Sequence, residues 1–552
     1  MNGEGWRFAR RAFGLLLFAL LLALIVRATT SARLERADVV FANGAEVASL
    51  DPQAVSGIPE GRVMIALYEG LTTRHPETLE PRPGVAESWD VAPDGLRITF
   101  RLRANARWSN GDPLTAQDFE WSWRRLVAPE TAAPYASFLK SVKGFRALDE
   151  RTFEVDFPTP VPHFLHLTSF HPLFPLHRAT IESARQRFPD AWTVAWMRPG
   201  VLVTNGPFRL AARRINDRLR LVKNPFYWDE RAVSMETIDV LALDHLGTLL
   251  NLYLTGEVDW IERVPPLAVT RLRGRADFHL TPSLGTYFYR VNTTRPPFDD
   301  VRVRRALALA IDRRAICEKI ARKGERPAFA FTPPNLAGYE PPELEHAPLE
   351  ADLSNWDRAF EADCARAREL LSEAGFGPQD RPFPRFELHY STSELHRDVA
   401  EVVADGWRTH LWLDVAFFNQ ESKVYIETQR SLGYDVSRSS WFADYPDASS
   451  FLEVFLSGGE NNRTGWSNAR YDELVRSAAR EANPETRLAE LGAAERILLD
   501  ELPLLPVFGY VTQNLVHPRL AGFFENALDE HSPKTWRWKT EEELAAERAR
   551  PR

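Results

Sequence analysis

One acidic residue, Asp444, stands where its side chain could hold a cation. The apolar run Trp441-Phe442-Ala443 leads into it, and Pro446 ends any regular structure just beyond it. A carboxylate in a partly dry cleft forms charge-assisted hydrogen bonds to an ammonium group, worth about 1.5–3 kcal/mol. The residues alone leave a second interpretation open. In it, Asp444 only ties a turn through its own backbone, and Asp447 caps a helix that begins at Ala448.

The sequence motifs of common enzymes are missing. The chain contains no Gly-x-Ser-x-Gly elbow, no His-Glu-x-x-His, no P-loop and no dinucleotide-binding glycine triplet. Its 13 histidines are scattered, and its two cysteines, Cys317 and Cys364, form no Cys-x-x-Cys pair. We therefore expect a binding protein without catalytic residues, metal or other cofactor. An exported hydrolase whose catalytic group assembles only in the fold stays a different-class alternative.

Length and composition bound the class of protein. A chain of 552 residues exceeds what one hydrophobic core supports, so two or three domains are expected. A hydrophobic content of 44% is typical of a folded chain. The net charge of −8, without a long Lys/Arg stripe, argues against a nucleic-acid partner.

The N-terminus has the pattern of an export signal. Arg7, Arg10 and Arg11 precede an apolar run over residues 12–26, and small residues follow at 28–32. A charged region, an apolar region and a small-residue exit predict a signal peptide or an N-terminal membrane anchor over residues 1–33. In either case the rest of the chain is exported.

Local patterns predict the elements that must position these side chains. Apolar residues alternate with polar ones over 96–102, after the Pro93-Asp94-Gly95 turn, which predicts a strand. Thr115 and Asp118 have capping-box spacing at the start of a helix. Further helices are predicted from Asp299-Asp300 to Gly324, over 358–374, after Asp472 and over 541–548.

The helix start at Thr115 belongs to a longer block, Trp108 to Phe119, that resembles the signature of a known family. It is similar to the extracellular solute-binding proteins (family 5) of ABC peptide and nickel importers, and most closely to the periplasmic oligopeptide-binding proteins. Other segments follow in the family's order over about Phe41 to Trp538: Ser49-Leu50-Asp51-Pro52, Tyr68-Glu69-Gly70-Leu71, Val85-Ala86-Glu87-Ser88-Trp89, Pro134-Tyr135-Ala136-Ser137, Thr204-Asn205-Gly206-Pro207-Phe208, Gly256-Glu257-Val258-Asp259, Arg295-Pro296-Pro297-Phe298-Asp299-Asp300-Val301-Arg302 and Ala443-Asp444-Tyr445-Pro446.

The resemblance implies an α/β fold with two lobes, of the periplasmic-binding-protein type (type II, cluster C), with an extra accessory subdomain. On that pattern lobe I takes residues 34–70, 190–285 and 510–540, the accessory subdomain 71–189, and lobe II 286–509. Residues 541–552 form a charged tail. The implied protein is a periplasmic monomer that passes oligopeptides to permease subunits in the inner membrane.

The resemblance also implies ligand contacts. Asp444 matches the acid that holds the peptide amine. Backbone and cleft contacts are expected from both lobes and from the accessory subdomain: Gly57, Ile58, Tyr135, Ser440, Trp441 and Phe442.

Basic side chains are expected to hold the peptide carboxylate. Arg438 and His396 occupy matching positions, but the chain has Gln429 where a relative has another arginine, with Arg430 one place later. Because a one-residue shift on a strand reverses the facing side, Arg430 is only a candidate and the preferred peptide length stays open.

Two narrower alternatives also stay open. The ligand could be a cell-wall peptide, a signalling peptide or a nickel chelate, although the acidic anchor favours peptides over nickel. A membrane-tethered sensor that binds peptide without transport is the other possibility.

Overall fold

The computed structural model describes residues 35–350 and 353–549. The predicted leader over 1–33, with its apolar run over 12–26, lies outside the described residues, as do the last three residues of the charged tail. Within the described part of the chain, no helix combines the length and the apolar character that a membrane crossing requires.

The elements are as follows. The strands are β1 Val39–Ala42, β2 Thr72–Arg74, β3 Pro81–Pro83, β4 Ala86–Val91, β5 Arg97–Leu102, β6 Gly144–Ala147, β7 Thr152–Asp156, β8 Phe208–Arg214, β9 Arg218–Lys223, β10 Thr237–Leu241, β11 Trp260–Ile261, β12 Phe278–Val291, β13 Arg326–Pro327, β14 Phe386–Ser391, β15 Val415–Gln420, β16 Val436–Phe442, β17 Leu504–Val516, β18 Leu520–Ala521 and β19 Arg537–Trp538. The α-helices are α1 Ile58–Leu67, α2 Ala116–Val127, α3 Phe164–Leu167, α4 Arg178–Arg187, α5 Trp192–Ala195, α6 Leu246–Leu254, α7 Pro266–Leu272, α8 Val301–Leu309, α9 Arg313–Ala315, α10 Trp356–Glu373, α11 Glu394–Leu411, α12 Ser422–Arg430, α13 Ser449–Leu452, α14 Ala469–Ala478, α15 Pro484–Glu501 and α16 Glu541–Ala549. Short 3-10 helices lie at Pro129–Thr131, Ala136–Leu139, His171–Leu173, Glu230–Ala232, Glu453–Phe455 and Pro533–Thr535, and a π-helix at Ile316–Ala321.

A large mixed sheet runs through the molecule in the order β15-β14-β16-β12-β17-β11-β1-β10-β9-β8, with β13 also paired to β17. The long antiparallel strands β12 and β17 belong to both halves of this sheet, because their outer ends pair with different neighbours. Their register shifts between Pro282 and Thr286 and again between Tyr287 and Phe288. The predicted lobe boundaries at 285/286 and 509/510 fall in this ribbon and stay a prediction.

Separate hydrophobic clusters fill the layers around the sheet. Helix α1 packs on the β1–β8 part around Met64, and α6 packs on its other face around Leu249. At the other end, α8, α10 and α11 cover one face around Trp407, while α14 and α15 cover the face that carries Phe288. A second sheet, β4-β5-β7-β6, packs on α2 around Trp123.

Most of the local predictions hold, with one clear error. Strand β5 buries alternate residues, and the Asp118 carboxylate accepts a hydrogen bond from the Thr115 N–H (2.8 Å) at the start of α2. The helix predicted from 299–300 to 324 is not continuous. It breaks at Ala310 because the Asp312 side chain accepts from the Ala315 N–H (3.0 Å) and starts a new turn.

Helix α14 also begins earlier than expected. The sequence predicts a helix after Asp472, whereas Asn468 caps a helix that begins at Ala469 and contains Asp472 in its first turn.

Candidate functional site

The site is built on one edge of strand β16. The Asn292 N–H donates to Asp435 O and the Ala443 N–H donates to Leu284 O, both at 2.9 Å, so odd-numbered residues of β16 turn their backbone groups toward β12. Even-numbered residues therefore face the opposite edge. Strand β14 covers that edge only at Val436 and Ser437.

Beyond β14 this edge of β16 is partly open. Arg438 O accepts from Tyr425 Oη and from Gln429 Nε2, the latter at 2.9 Å. Within residues 35–350 and 353–549, the backbone N–H and C=O groups of Ser440 and Phe442 have no hydrogen-bond partner. An extended chain can pair with these groups as an added strand.

Asp444 lies just past the end of this edge. Its backbone N–H donates to Ser450 Oγ (3.0 Å), while its carboxylate makes no hydrogen bond or ion pair with any described residue. The side chain is open to solvent on one side, and burial on its other sides raises the pKa of Asp444. The carboxylate is therefore an unpaired acceptor beside an unpaired strand edge.

The sequence left open that Asp444 only ties a turn through its own backbone. The structure shows instead that the Asp447 side chain holds this turn. The Asp447 carboxylate accepts from the Ser449 N–H (2.8 Å) at the start of α13 and pairs with Arg487 (2.7 Å). These contacts outweigh the effect of its burial and hold the pKa of Asp447 down to about 2. Asp447 acts as the cap that the sequence predicts, and Asp444 is left free.

Tyr135 lies in the part of the chain that is predicted to form the accessory subdomain. Its half-buried ring packs against Phe138 and Phe170 at centroid distances of 5.0 and 5.1 Å. Burial, and then the negative charge of Asp444, raise the pKa of Tyr135. The ligand contact of Tyr135 stays a prediction.

The next residue, Tyr445, joins the two parts of the chain directly. Its ring stacks on His163 at 4.2 Å with an interplanar angle of 7°, and it is buried in the hydrophobic cluster of α2. Sequence reasoning missed this contact because neither residue carries a local signal for a partner so distant in the chain.

Gly57 and Ile58 begin helix α1. Gly57 has extended backbone angles (φ −83°, ψ 152°), and the side chain of Ile58 is 68% exposed. Helix α1 contacts the His171–Leu173 turn, whose His171 ring lies 6.1 Å from the Tyr135 ring. Both residues thus lie on the part of the molecule that carries Tyr135, and their ligand contacts stay a prediction.

Phe442 and Trp441 point to opposite faces of the sheet. The backbone of Trp441 pairs with β12, and the Trp441 Nε1–H donates to Ser450 O (2.7 Å). The side chain of Trp441 can therefore line the cleft, but its backbone cannot pair with a ligand. Phe442 is 52% exposed and its ring lies 4.7 Å from that of Tyr510.

Arg438 and His396 lie together at the other end of the open edge. The Arg438 Nη2 atom donates to Tyr510 Oη (3.2 Å), and the guanidinium lies 4.6 Å from the centre of the Tyr287 ring. No carboxylate among the described residues pairs with Arg438. Burial, and then the charge of Arg438, lower the pKa of His396 to about 3, so this imidazole is neutral near pH 7.

Arg430 requires a correction, because the structure does not bring it to this group. It lies exposed on α12, 3.6 Å from Glu427. The neighbouring Gln429 points inward instead and donates to Ser437 Oγ (2.9 Å) as well as to Arg438 O. Successive residues of a helix project about 100° apart, so Gln429 supports the β16 edge and Arg430 faces solvent.

Glu453 is a second acid that sequence reasoning missed. It follows α13 on the face that carries Ser449 and Ser450, next to the Asp444 loop. Burial, and then the charge of Asp447, raise the pKa of Glu453 to about 7.

No group of three or more His, Cys, Asp or Glu side chains in the described ranges is arranged to hold a metal ion. Cys317 and Cys364 are both buried free thiols.

Comparison with known proteins supports a binding role. Residues 80–463 match the bacterial extracellular solute-binding proteins, family 5 Middle. The chain is 35% identical over 509 residues to the periplasmic oligopeptide-binding protein OppA of Salmonella typhimurium. This alignment covers 89% of this chain and 90% of that protein.

Solved structures are similar over nearly the whole fold. The unliganded open form of the periplasmic murein tripeptide-binding protein MppA superposes with a TM-score of 0.80 at 35% identity, covering 92% of this chain and 98% of that one. The murein tripeptide-binding protein MppA of Escherichia coli gives 0.70 at 34% identity, with coverages of 92% and 99%. These matches confirm the predicted two-lobed α/β fold.

Proposed function

Since the chain belongs to the bacterial extracellular solute-binding proteins of family 5, we propose that it is the substrate-binding component of an ABC-type oligopeptide importer. It captures peptides in the cleft between two lobes and delivers them to permease subunits in the inner membrane. It works as a monomer and does not itself change the peptide chemically.

The observation that carries this proposal is an unpaired acid at the end of an unpaired strand edge. A peptide lying antiparallel to β16 pairs its backbone with Ser440 and Phe442 and brings its ammonium group to Asp444. Its carboxylate then approaches Arg438, which has no carboxylate partner in the described chain. Backbone pairing suits a receptor for many sequences, because every peptide presents the same groups.

A cell-wall peptide is a second candidate ligand, favoured by the likeness to a murein tripeptide-binding protein. The two candidates share the free amine and the extended backbone. Competition between an all-L tripeptide and the murein tripeptide for the purified protein ranks them directly.

The proposed site of action is the periplasm. The relative with 35% identity is named as periplasmic, and residues 1–33 have the pattern of an export signal. We propose that residues 12–26 are either removed with the leader or kept as a tether to the inner membrane. Intact-mass measurement of the exported protein distinguishes the two.

The decisive test is isothermal titration calorimetry with free and N-acetylated tripeptides. Asp444→Ala should weaken the binding of free-amine peptides by about 10- to 100-fold, the value of a charge-assisted hydrogen bond, with little change in thermal stability. Asp414→Ala is the matched control, because Asp414 is 68% exposed in its contact with Arg385. Equal affinity of the natural protein for free and acetylated peptides would contradict the amine anchor.

Acidification provides a second readout of the same group. Because the pKa of Asp444 is raised, its carboxylate becomes protonated at a higher pH than an ordinary aspartate. Affinity for free-amine peptides should therefore fall as the pH drops through this raised pKa, while the weaker binding of acetylated peptides stays level.

The hydrolase alternative is tested with the same peptides. After long incubation at a molar excess of peptide, mass spectrometry should detect only intact peptide. Release of fragments by the purified protein, and not by Asp444→Ala, would favour an enzyme.

A further inference from the structure

Phe442 is an aromatic residue in an unusual position. Its side chain is 52% exposed, although it ends a strand in the centre of the sheet. The ring lies over Gly285, its partner on β12, where an added Cβ would stand 2.5 Å from Phe442 Cδ1. On the far side the ring of Tyr510 lies at a centroid distance of 4.7 Å. Gly285 thus leaves the space in which the two rings form one apolar surface.

The same geometry identifies which part of a bound peptide meets this surface. The Ala443 N–H is bonded to Leu284 and the Asp444 N–H to Ser450 Oγ, so Phe442 is the last residue of β16 with free backbone groups on the open edge. A ligand residue opposite Phe442 is therefore the last that the edge can pair. Its nitrogen lies within side-chain reach of Asp444, which makes it the first residue of the peptide.

Side chains directly opposite each other on neighbouring strands project from the same face, with Cβ atoms about 4.5–5.5 Å apart. The first side chain of the peptide must then lie beside the Phe442 ring. The second projects to the face of Trp441, and the third lies opposite Ser440, beyond the ring.

We propose that Phe442, supported by Gly285 and Tyr510, determines the specificity of the cleft for the first side chain of the peptide and selects apolar and aromatic residues there. This inference rests on the proposed function. Aromatic surfaces attract apolar and aromatic groups with a preference for stacked or edge-on rings. Binding covers a ring that is otherwise exposed to water, so an apolar first residue gains from burial on both sides.

The experiment compares tripeptides X-Ala-Ala, with X as Ala, Leu or Phe, by calorimetry. The natural protein should bind Phe-Ala-Ala and Leu-Ala-Ala about tenfold or more tightly than Ala-Ala-Ala. Phe442→Ala should reduce this ratio to about twofold or less. Gly285→Ala, which displaces the ring without removing it, should also lower the ratio, and Ala-X-Ala peptides should show no dependence on Phe442.

Two controls separate this inference from the proposed function. Phe417→Ala removes an aromatic residue that is 43% exposed on β15 and should leave every ratio unchanged. Asp444→Ala should weaken all X-Ala-Ala peptides by the same factor and keep the ratio. Equal binding of the three peptides, or a preference that survives Phe442→Ala, would overturn the role of Phe442 and leave the proposed function standing. If the natural protein binds neither these tripeptides nor longer peptides with a free amine, the proposed function fails and this inference fails with it.

Discussion

Two opposite charges, Asp444 and Arg438, lie at the two ends of the open β16 edge. Neither side chain has a partner of opposite charge among the described residues. Arg438 leans over Tyr287, which is the β12 partner of Ser440. The charge of Arg438 is thus level with Ser440. If the first residue of a peptide lies opposite Phe442, its third residue lies opposite Ser440 and therefore close to this charge. The two charges therefore match the ammonium and carboxylate groups of a tripeptide.

Replacing Arg438 tests this match. Arg438→Gln should weaken tripeptides with a free carboxylate by about 10- to 100-fold, because a charge-assisted hydrogen bond is lost. C-terminally amidated tripeptides should bind the variant and the natural protein alike. Calorimetry with both peptide forms gives the comparison.

Arg430→Gln is the matched control, since Arg430 is exposed beside Glu427. Arg430→Gln should change neither the affinity for tripeptides with a free carboxylate nor the affinity for amidated tripeptides. An Arg438→Gln variant that binds carboxylate and amide peptides as the natural protein does would show that the carboxylate is held elsewhere.

At the scale of elements, the open edge depends on where β14 stops pairing with β16. Strand β14 pairs with β16 at Val436 and Ser437, and the Tyr425 and Gln429 side chains then close the edge at Arg438. On this edge, and counting partners within the described ranges, Ser440 and Phe442 keep free backbone groups. Two residues of one edge form hydrogen bonds with alternate residues of an extended ligand.

N-methylated peptides test this pattern without any change in the protein. Methylating the amide nitrogen of the third ligand residue removes a donor to Ser440 O and should weaken binding about tenfold, the upper value for one hydrogen bond. Methylating the second amide, which faces away from β16, should have a smaller effect. The reverse order in calorimetry would contradict the predicted register.

The sequence predicts the family and the two-lobed fold, because both follow from motifs that keep their order along the chain. The role of Asp444 stays a prediction. The sequence does not predict the free edge, because the pairing of β14 with β16 joins residues far apart in the chain. For the same reason the sequence does not distinguish Arg430 from Gln429, since only the packed helix shows that Gln429 points inward and that Arg430 faces solvent. Local chemistry also explains the broken helix at Asp312, where a capping side chain outweighs a continuous apolar pattern.

At the scale of the whole molecule, the β12–β17 ribbon runs through both halves of the large sheet, and Tyr445 stacks on His163 of the predicted accessory subdomain. The ribbon changes register between Pro282 and Thr286, at the level of the cleft. Irregular pairing gives the strands fewer hydrogen bonds to hold their angle, so this short stretch is suited to bend. The Asp444 carboxylate and the Phe442 ring both meet water in this structure.

Closure should therefore follow ligand binding. A ligand shifts a conformational equilibrium only through contacts that differ between the two states. We expect a peptide on β16 to gain contacts with Tyr135 and Ile58 when the cleft shuts. Small-angle X-ray scattering should show a smaller radius of gyration with saturating Phe-Ala-Ala than without peptide. At a ligand concentration of about 100 times Kd, the free energy of unfolding should rise by about 2.7 kcal/mol.

Tyr135→Ala should bind peptide more weakly and close less completely at saturation, whereas Phe417→Ala should behave as the natural protein. An unchanged radius of gyration at full occupancy, measured on the same samples by calorimetry, would show that the peptide binds to one lobe alone.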